Sequence, residues 1–322
     1  MAVSGGRNSS GEERRGAGKV LTATRKTYSV AVERQVIQCT MRGKLAVDDG
    51  YDTVRVGDNV KVTWQEDGPG VIEEILPRTS KLSRSIESRA YQEHIIAVNI
   101  SQLLIIMSTR RPRFKSGLLD RYLVIAEKNQ LHPLICINKV DLAPSKQFRH
   151  FQEYYEKLNY PVLFTSAVSG EGITDLAEAL SEGVTALVGF SGVGKSTLIN
   201  AIEPGLDIRV GDVSERTLKG QHTTTSAEMF PLSSGGFVVD TPGIRELGFW
   251  GIYKKDLQHY FIELKHYAPR CQFADCTHIH EPGCAVKMAV DGGEILLERY
   301  ENYVNIYDSL KSAAYEYRIS RT

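Results

Sequence analysis

The sequence predicts a multi-domain fold: an N-terminal all-β barrel, a central α/β domain on a doubly wound parallel sheet, and a C-terminal, mainly α segment organised by a metal. Three observations carry this. Apolar residues alternate with period two between residues 27 and 76; beyond residue 85 apolar runs alternate with helical patterns; and Cys271, Cys276, His278 and Cys284 gather near the C terminus. The expected divisions are a disordered basic tail over 1-22, a barrel over 23-80, the α/β domain over 81-250 and the metal-binding helical domain over 251-322. A chain of 322 residues exceeds what one hydrophobic core organises.

Residues 1 to 26 hold six Lys or Arg against two Glu among Gly and Ser, a composition that reads as a basic tail, either solubilising or touching RNA. The short runs "YSVAV", "VIQCTM", "KLAV", "TVRV", "NVKVTW" and "GVIEEIL" are broken by "DDGYD", "GDN" and "EDGPG". Period-two alternation with frequent turns describes a small antiparallel barrel, and the number of strands in so short a stretch suits the oligonucleotide-binding (OB) type. "PRTSKLSRS", 77 to 85, reads as a linker.

After the linker, "QLLIIMS", "HPLICIN", "PVLFTSA" and "TALVGF" alternate with helical stretches. Phe148, Phe151, Tyr155 and Leu158 fall on one helical face, as do Ile173, Leu176 and Leu180. Buried strands alternating with helices imply a parallel sheet, whose ligands bind at the carboxyl ends of its strands.

The candidate motifs stand at those ends. "GFSGVGKST" joins a strand to a helix: Gly189, Phe190, Ser191, Gly192, Val193 and Gly194 form a loop whose amides can turn inward around phosphate oxygens, aided by the helix N-terminus. Lys195 would reach the β and γ phosphates, Ser196 would offer a hydroxyl to Mg²⁺, and Thr197 completes the loop's exit. "NKVD" names the base. Asp141 can accept both the ring N–H and the exocyclic amine of guanine, Asn138 would brace the loop, and the Lys139 stem would lie over the ring. Ser166 and Ala167 in "FTSAVSG" would support the base through backbone amides. In "GFVVDTPGI", Asp240 would hold the Mg²⁺ shell and the Gly243 amide would sense the γ phosphate; among the threonines of "GQHTTT", Thr224 is taken as the second hydroxyl ligand of Mg²⁺. Lys195 and Thr224 are therefore also catalytic candidates. Ile244 stands where switch GTPases place the Gln that orients the attacking water, and His222 is the nearest substitute.

In ordinary guanine-nucleotide switch proteins the phosphate loop precedes the base-reading segment. Here "NKVD" comes first, so the domain reads as circularly permuted, a rewiring that neighbouring termini tolerate. The chain beyond Ile244 then runs directly into the C-terminal region, which suggests that the nucleotide state is felt there.

"RCQFADCTHIHEPGCAV" offers three thiolates and one imidazole, the donor set of a closed, structural tetrahedral Zn²⁺ site. His278 is favoured, with His280 two residues away as a rival. A metal suits these cysteines better than a disulfide because the chain reads as cytoplasmic. Residues 1 to 19 have no apolar core for export, and the longest apolar run, "LLIIM", is far too short to cross a membrane.

Taken in order, "NKVD", "TSAVSG", "GFSGVGKSTLIN", "GQHTTT", "DTPGI" and "CxxxxCxHxxEPGCAV" resemble the small-ribosomal-subunit-dependent GTPases called RsgA or YjeQ. That resemblance implies an OB barrel, a circularly permuted P-loop GTPase domain and a zinc domain. It also implies late assembly of the small ribosomal subunit as the role, with GTP hydrolysis stimulated there, and GTP/GDP, the subunit and its rRNA as partners of a monomeric protein. The residues alone reach a GTP-dependent switch or hydrolase with two flanking modules able to meet RNA. The basic stretches "RTSKLSR" and "STRRPRFK" are candidates for backbone contact. Two rivals stay open: an ATP-using enzyme, for which Asp141 would be dispensable, and a zinc-anchored RNA-binding scaffold that binds GTP with little turnover.

Overall fold

The computed structural model describes residues 13–24, 26–33, 35–41, 53–65, 68–85, 93–206, 227–240 and 251–310. Five strands form the N-terminal module: β1 (Arg14–Ala23), β2 (Tyr28–Val32), β3 (Gln35–Met41), β4 (Asn59–Trp64) and β5 (Gly70–Ile75). Their order is β1-β2-β3-β5-β4, and β1 pairs again with β4, so the sheet closes on itself. β3 and β5 run parallel while every other pair in the barrel is antiparallel. Closure leaves no exposed sheet edge, and Val20, Val30, Val32, Val60, Val62 and Ile72 fill the interior.

Two expectations are corrected here. The basic tail was expected to reach residue 22, whereas β1 begins at Arg14. Its first half pairs with β4 and its second half with β2. Gly16 and Gly18 make the stretch look like a linker, yet they serve close approach: a Cβ on Gly18 would lie 2.6 Å from Val30 Cγ1 and 2.8 Å from the Ala31 carbonyl. The linker expected over 77 to 85 is also not one. Residues Lys81–Ser85 form β6, antiparallel to β7 (Glu93–Val98). Leu82, Ile95 and Ala97 are buried, and Arg78 is bound through two nitrogens to the buried Asp58 of the barrel at 2.8 and 2.9 Å. "TVRV", 53 to 56, is irregular with Val54 and Val56 inside; "KLAV" lies outside the described residues.

The central sheet follows as β8 (Gln102–Ser108), α1 (Ser116–Lys128), β9 (His132–Asn138), α2 (Arg149–Lys157), β10 (Val162–Thr165), α3 (Ile173–Ala179), β11 (Val184–Val188), α4 (Lys195–Ile202), β12 (Glu228–Pro231) and β13 (Phe237–Asp240). The strand order is β10-β9-β8-β11-β13-β12, parallel except for β12. Both faces are covered. Leu103, Ile105 and Met107 of β8 join Leu119 and Leu123 of α1 and Tyr155 of α2 on one side. Leu104 and Ile106 join Leu176 of α3 and Leu198 and Ile199 of α4 on the other. A continuous apolar run, rather than an alternating one, is what a strand buried on both faces requires. Thr22 of β1 pairs with Glu228 of β12, so barrel and central sheet are hydrogen-bonded neighbours.

The chain winds outward from β8 through β9 to β10, then returns to place β11 on the other side of β8. The winding direction therefore reverses between β8 and β11, and the crevice at their carboxyl ends is where a doubly wound sheet binds ligands. The C-terminal module consists of a short helix α5 (Leu264–Tyr267), α6 (Ala285–Asp291) and α7 (Leu297–Ser309). Its core of Leu257, Phe261, Leu264, Val286, Tyr303 and Ile306 takes in Val124 of α1.

Candidate functional site

At the carboxyl end of β11 the backbone turns through Gly189, Gly192 and Gly194, with φ of 150°, 76° and 100°. Only glycine occupies such conformations freely, and space also demands it at two of them. A Cβ on Gly189 would meet the Ile106 carbonyl at 2.4 Å, and one on Gly194 would meet Asn138 Nδ2 at 2.5 Å. α4 begins directly at Lys195, capped by Gly194 without a side-chain acceptor, which leaves its first amides facing the loop. Lys195 Nζ donates to the carbonyls of Gly189 at 2.9 Å and Phe190 at 3.2 Å, so the ammonium is folded over the loop that phosphates would enter. Ser196 and Thr197 follow in the first turn, Thr197 exposed and Ser196 half-buried; Ser191 is half-buried and Phe190 exposed.

The segment at the end of β9 meets this loop directly. The buried Asn138 donates its amide to the Val193 carbonyl at 2.8 Å and accepts from Thr165 Oγ1 at 3.2 Å. Lys139, at φ 64°, donates to the carbonyls of Gly192 and Arg111, each at 2.5 Å. Burial lowers the Lys139 pKa; the Asp141 carboxylate opposes that shift and Arg111 reinforces it. Asp141 is exposed at the rim and accepts a hydrogen bond from the buried Ser166 hydroxyl at 2.6 Å. Ala167 is next along the same loop, which closes through Gly170 N–H to the Ser166 carbonyl at 2.9 Å. One site is thus assembled from β9, β10 and β11. It offers glycine-loop amides and an ammonium at one end and a carboxylate at the other.

Asp240 ends β13, two strands from β8 and next to β11. His222, Thr224, Gly243 and Ile244 lie outside the described residues.

A second cluster lies in the C-terminal module. Cys271 Sγ, Cys276 Sγ, His278 Nδ1 and Cys284 Sγ all lie within 4.8 Å of one another. The Cys271–Cys284 sulfur distance is 3.9 Å, and the His278 Nδ1 distances to Cys271 and Cys284 are 3.6 and 3.5 Å. A zinc-centred tetrahedron has S–S and S–N edges of roughly 3.8 and 3.6 Å, so these residues fit that ion. His278 Nε2 faces Gln258 Oε1 at 2.8 Å, a contact that keeps the proton on Nε2 and the Nδ1 lone pair turned inward. Burial pushes the Cys276 thiol up to about 12; only a bound cation makes three clustered thiolates favourable. His280 is exposed and outside the cluster. The loop is tied by Glu281, which accepts from the Thr277 hydroxyl at 2.7 Å and from the amides of Thr277, Ile279 and His280 at 2.9, 3.2 and 3.2 Å. Against the opposing effect of burial, these bonds hold its carboxyl down to about 2. Tyr300 and Tyr303 donate to the carbonyls of His278 and Thr277, so the tyrosine stripe of α7 packs against the metal loop.

Residues 75–250 match the family model of the RsgA GTPase, and residues 17–72 match that of the RsgA N-terminal domain. The chain belongs to the RsgA GTPase family. It is 42% identical over 283 residues to the small ribosomal subunit biogenesis GTPase RsgA of Chlorobaculum tepidum, covering 85% of this chain and 91% of that one. The protein of the same name from Gemmatimonas aurantiaca is 41% identical, covering 91% and 97%. Among solved structures, YjeQ from Thermotoga maritima matches with a TM-score of 0.74 and 36% identity over 92% of this chain and 99% of that one. YloQ, described as a circularly permuted GTPase, matches at 0.72 and 31% over 94% and 97%. Family membership makes the chain a GTPase, and the motif order along β9, β10, β11 and β13 is that of a permuted one.

Several residues help build the site in roles that no motif assigns, even where, like Thr165 of "TSAVSG", they stand inside one. Thr109 donates its hydroxyl to the Lys139 carbonyl at 2.6 Å, and Thr165 braces Asn138. Their signal in the sequence is weak: each is a polar residue ending an apolar run, "LLIIMST" and "VLFT". Gln258 lies twenty residues before the histidine it orients, a separation that spacing rules do not register.

Proposed function

We propose that the chain hydrolyses GTP in the service of small-ribosomal-subunit assembly, binding the subunit through its rRNA and turning over faster there. The observation that carries the nucleotide reading is the pair of bonds from Asn138 and Lys139 into the phosphate loop, which makes residues 138–141 and 189–197 parts of one site. Asp141 accepts the two guanine donors that adenine cannot present together, and Ser166 holds that carboxylate in place. The Lys139 stem lies along the ring. Amides of residues 189–194 surround the phosphates, and Lys195 transfers its hydrogen bonds from the loop carbonyls to phosphate oxygens. Ser196, Asp240 and Thr224 hold Mg²⁺, which neutralises charge developing on the transferred phosphoryl group. Gly243 senses the γ phosphate, and His222 orients the attacking water because Ile244 cannot. Cys271, Cys276, His278 and Cys284 hold one structural Zn²⁺.

Small-subunit biogenesis is what the names of the relatives state, and rRNA contact belongs to the proposal. A closed barrel and the exposed cations Arg110, Arg111, Arg113 and Lys115 beside the site are compatible with RNA. A monomer acting in the cytoplasm accords with that role, and among the described residues no helix is long and apolar enough to cross a membrane. Phosphate release measured with and without purified small subunits tests the proposal. Slow intrinsic turnover that rises when subunits are added supports it. No release under either condition would replace it with a GTP-binding scaffold.

A further inference from the structure

Between Ser108 of β8 and Ser116 of α1 runs a short loop that touches the base-reading segment three times. The Thr109 amide donates to the Asn138 carbonyl at 3.0 Å, the Thr109 hydroxyl donates to the Lys139 carbonyl, and the Arg111 carbonyl accepts from Lys139 Nζ. The Ser108 hydroxyl closes the loop onto the Pro112 carbonyl at 2.7 Å. α1 takes over at Ser116, and its first turns are fastened to α7 of the C-terminal module. Ser116 donates to Glu298, Asn302 Nδ2 donates to Ser116 Oγ at 3.1 Å and to Asp120 Oδ2 at 2.7 Å, and the Arg299 guanidinium bonds Asp120.

Arg299 is among the largest fully buried side chains, 1% exposed, and Asp120 is wholly buried. Arg299 also meets Glu263 at 2.6 and 3.3 Å and lies 4.4 Å from the centroid of Phe261, while Tyr155 donates to Asp120 at 2.8 Å. Both carboxylates stay on the guanidinium because an unpaired buried charge costs several kcal/mol. The helices approach so closely that a Cβ on Gly117 would stand 3.0 Å from Asn302 Oδ1. A contact this buried and this fully hydrogen-bonded has one arrangement, and the loop that anchors Lys139 is held at its end.

We propose that the α1–α7 contact built by Asp120, Arg299 and Asn302 positions the loop carrying the Arg111 carbonyl, and through it Lys139, for guanine nucleotide. Arg299 and Asn302 belong to the C-terminal module and touch none of the residues assigned to the nucleotide; they are positioning residues. The proposal rests on the reading of residues 138–141 as the base-reading segment. Nucleotide residence, rather than stability alone, should therefore respond to substitutions in a different module.

The test is release of a fluorescent GDP from the full-length, zinc-loaded chain, followed by stopped flow. Asn302→Ala strands no buried charge, and Arg299→Lys keeps the charge but cannot serve two carboxylates. Asn302→Ala should release GDP severalfold faster while zinc content and the unfolding midpoint stay near wild type, a combination that a purely structural contact would not produce; Arg299→Lys should also release GDP faster, with a lower midpoint because one buried carboxylate loses its partner. In a Lys139→Met background, already fast, Asn302→Ala should add little, because interactions in one chain of contacts are not additive. Release at the wild-type rate from an Asn302→Ala chain that keeps its zinc and midpoint overturns the proposal, and so does full additivity with Lys139→Met. Wild-type preference for GDP over ADP is measured alongside: lost preference would remove the base-reading assignment itself, whereas intact preference with unresponsive variants would remove only the positioning role.

Discussion

Gly194 shows how much of this site rests on single atoms. Its φ of 100° and the 2.5 Å approach of Asn138 Nδ2 to its missing Cβ leave no room for a methyl group. Gly194→Ala should cost ~1–3 kcal/mol in local strain, and GDP titration should show affinity falling about tenfold or more, with the barrel unaffected. Asp141 is a different case, exposed and held by the Ser166 hydroxyl. Asp141→Ala should leave the fold intact and reduce discrimination between GDP and ADP by roughly 100-fold or more, because a hydrogen-bonding site rejects the wrong base by leaving polar groups unpaired; competition binding reads this directly. Both residues were legible because a fixed spacing places them. The roles of Thr109 and Gln258, and the brace from Thr165 of "TSAVSG" to Asn138, were not, because these partners are distant in the chain and no spacing relates them.

Strand β1 and the metal loop show what periodicity conveys about an element and what it conceals. β1 serves two partners along its length and passes so close to β2 that glycine must replace side chains, and that glycine content is what made it resemble a tail. Gly18→Val should overpack this crossing and destabilise the chain by about 1–3 kcal/mol, seen as a lower urea midpoint. The metal loop was legible because its ligands lie in one short stretch and the chemistry of thiolate and imidazole restricts the answer. The core of residues 251–310 takes in Cys276 and Cys284 of the metal loop, so the ion should carry much of its stability, with apparent binding of ~10–16 kcal/mol for structural zinc sites. Chelation, or Cys276→Ser, should abolish protection of this module in limited proteolysis while residues 93–206 stay protected. Survival of the module without metal would contradict a structural role for the cluster.

At the scale of the molecule, the reversed motif order becomes intelligible once the sheet is laid out. Parallel strands β10-β9-β8-β11-β13 place three separate loops at one edge whatever order the chain visits them, so joining the old termini and opening the chain elsewhere leaves the site unchanged. The sequence therefore revealed the motifs and their permutation but not the contact between α1 and α7, whose partners lie more than 170 residues apart. Nor did it reveal that β12 meets β1, where Thr22 pairs with Glu228. The nucleotide assignment requires the base-reading and phosphate loops to form one site. Calorimetric titration of the wild-type chain with GDP and with ADP tests this most directly. One GDP per chain, bound far more tightly than ADP, with the preference lost in Asp141→Ala and GDP affinity itself lost in Lys195→Ala, is the predicted result; equal affinity for the two nucleotides, or a guanine preference indifferent to Asp141, would contradict it.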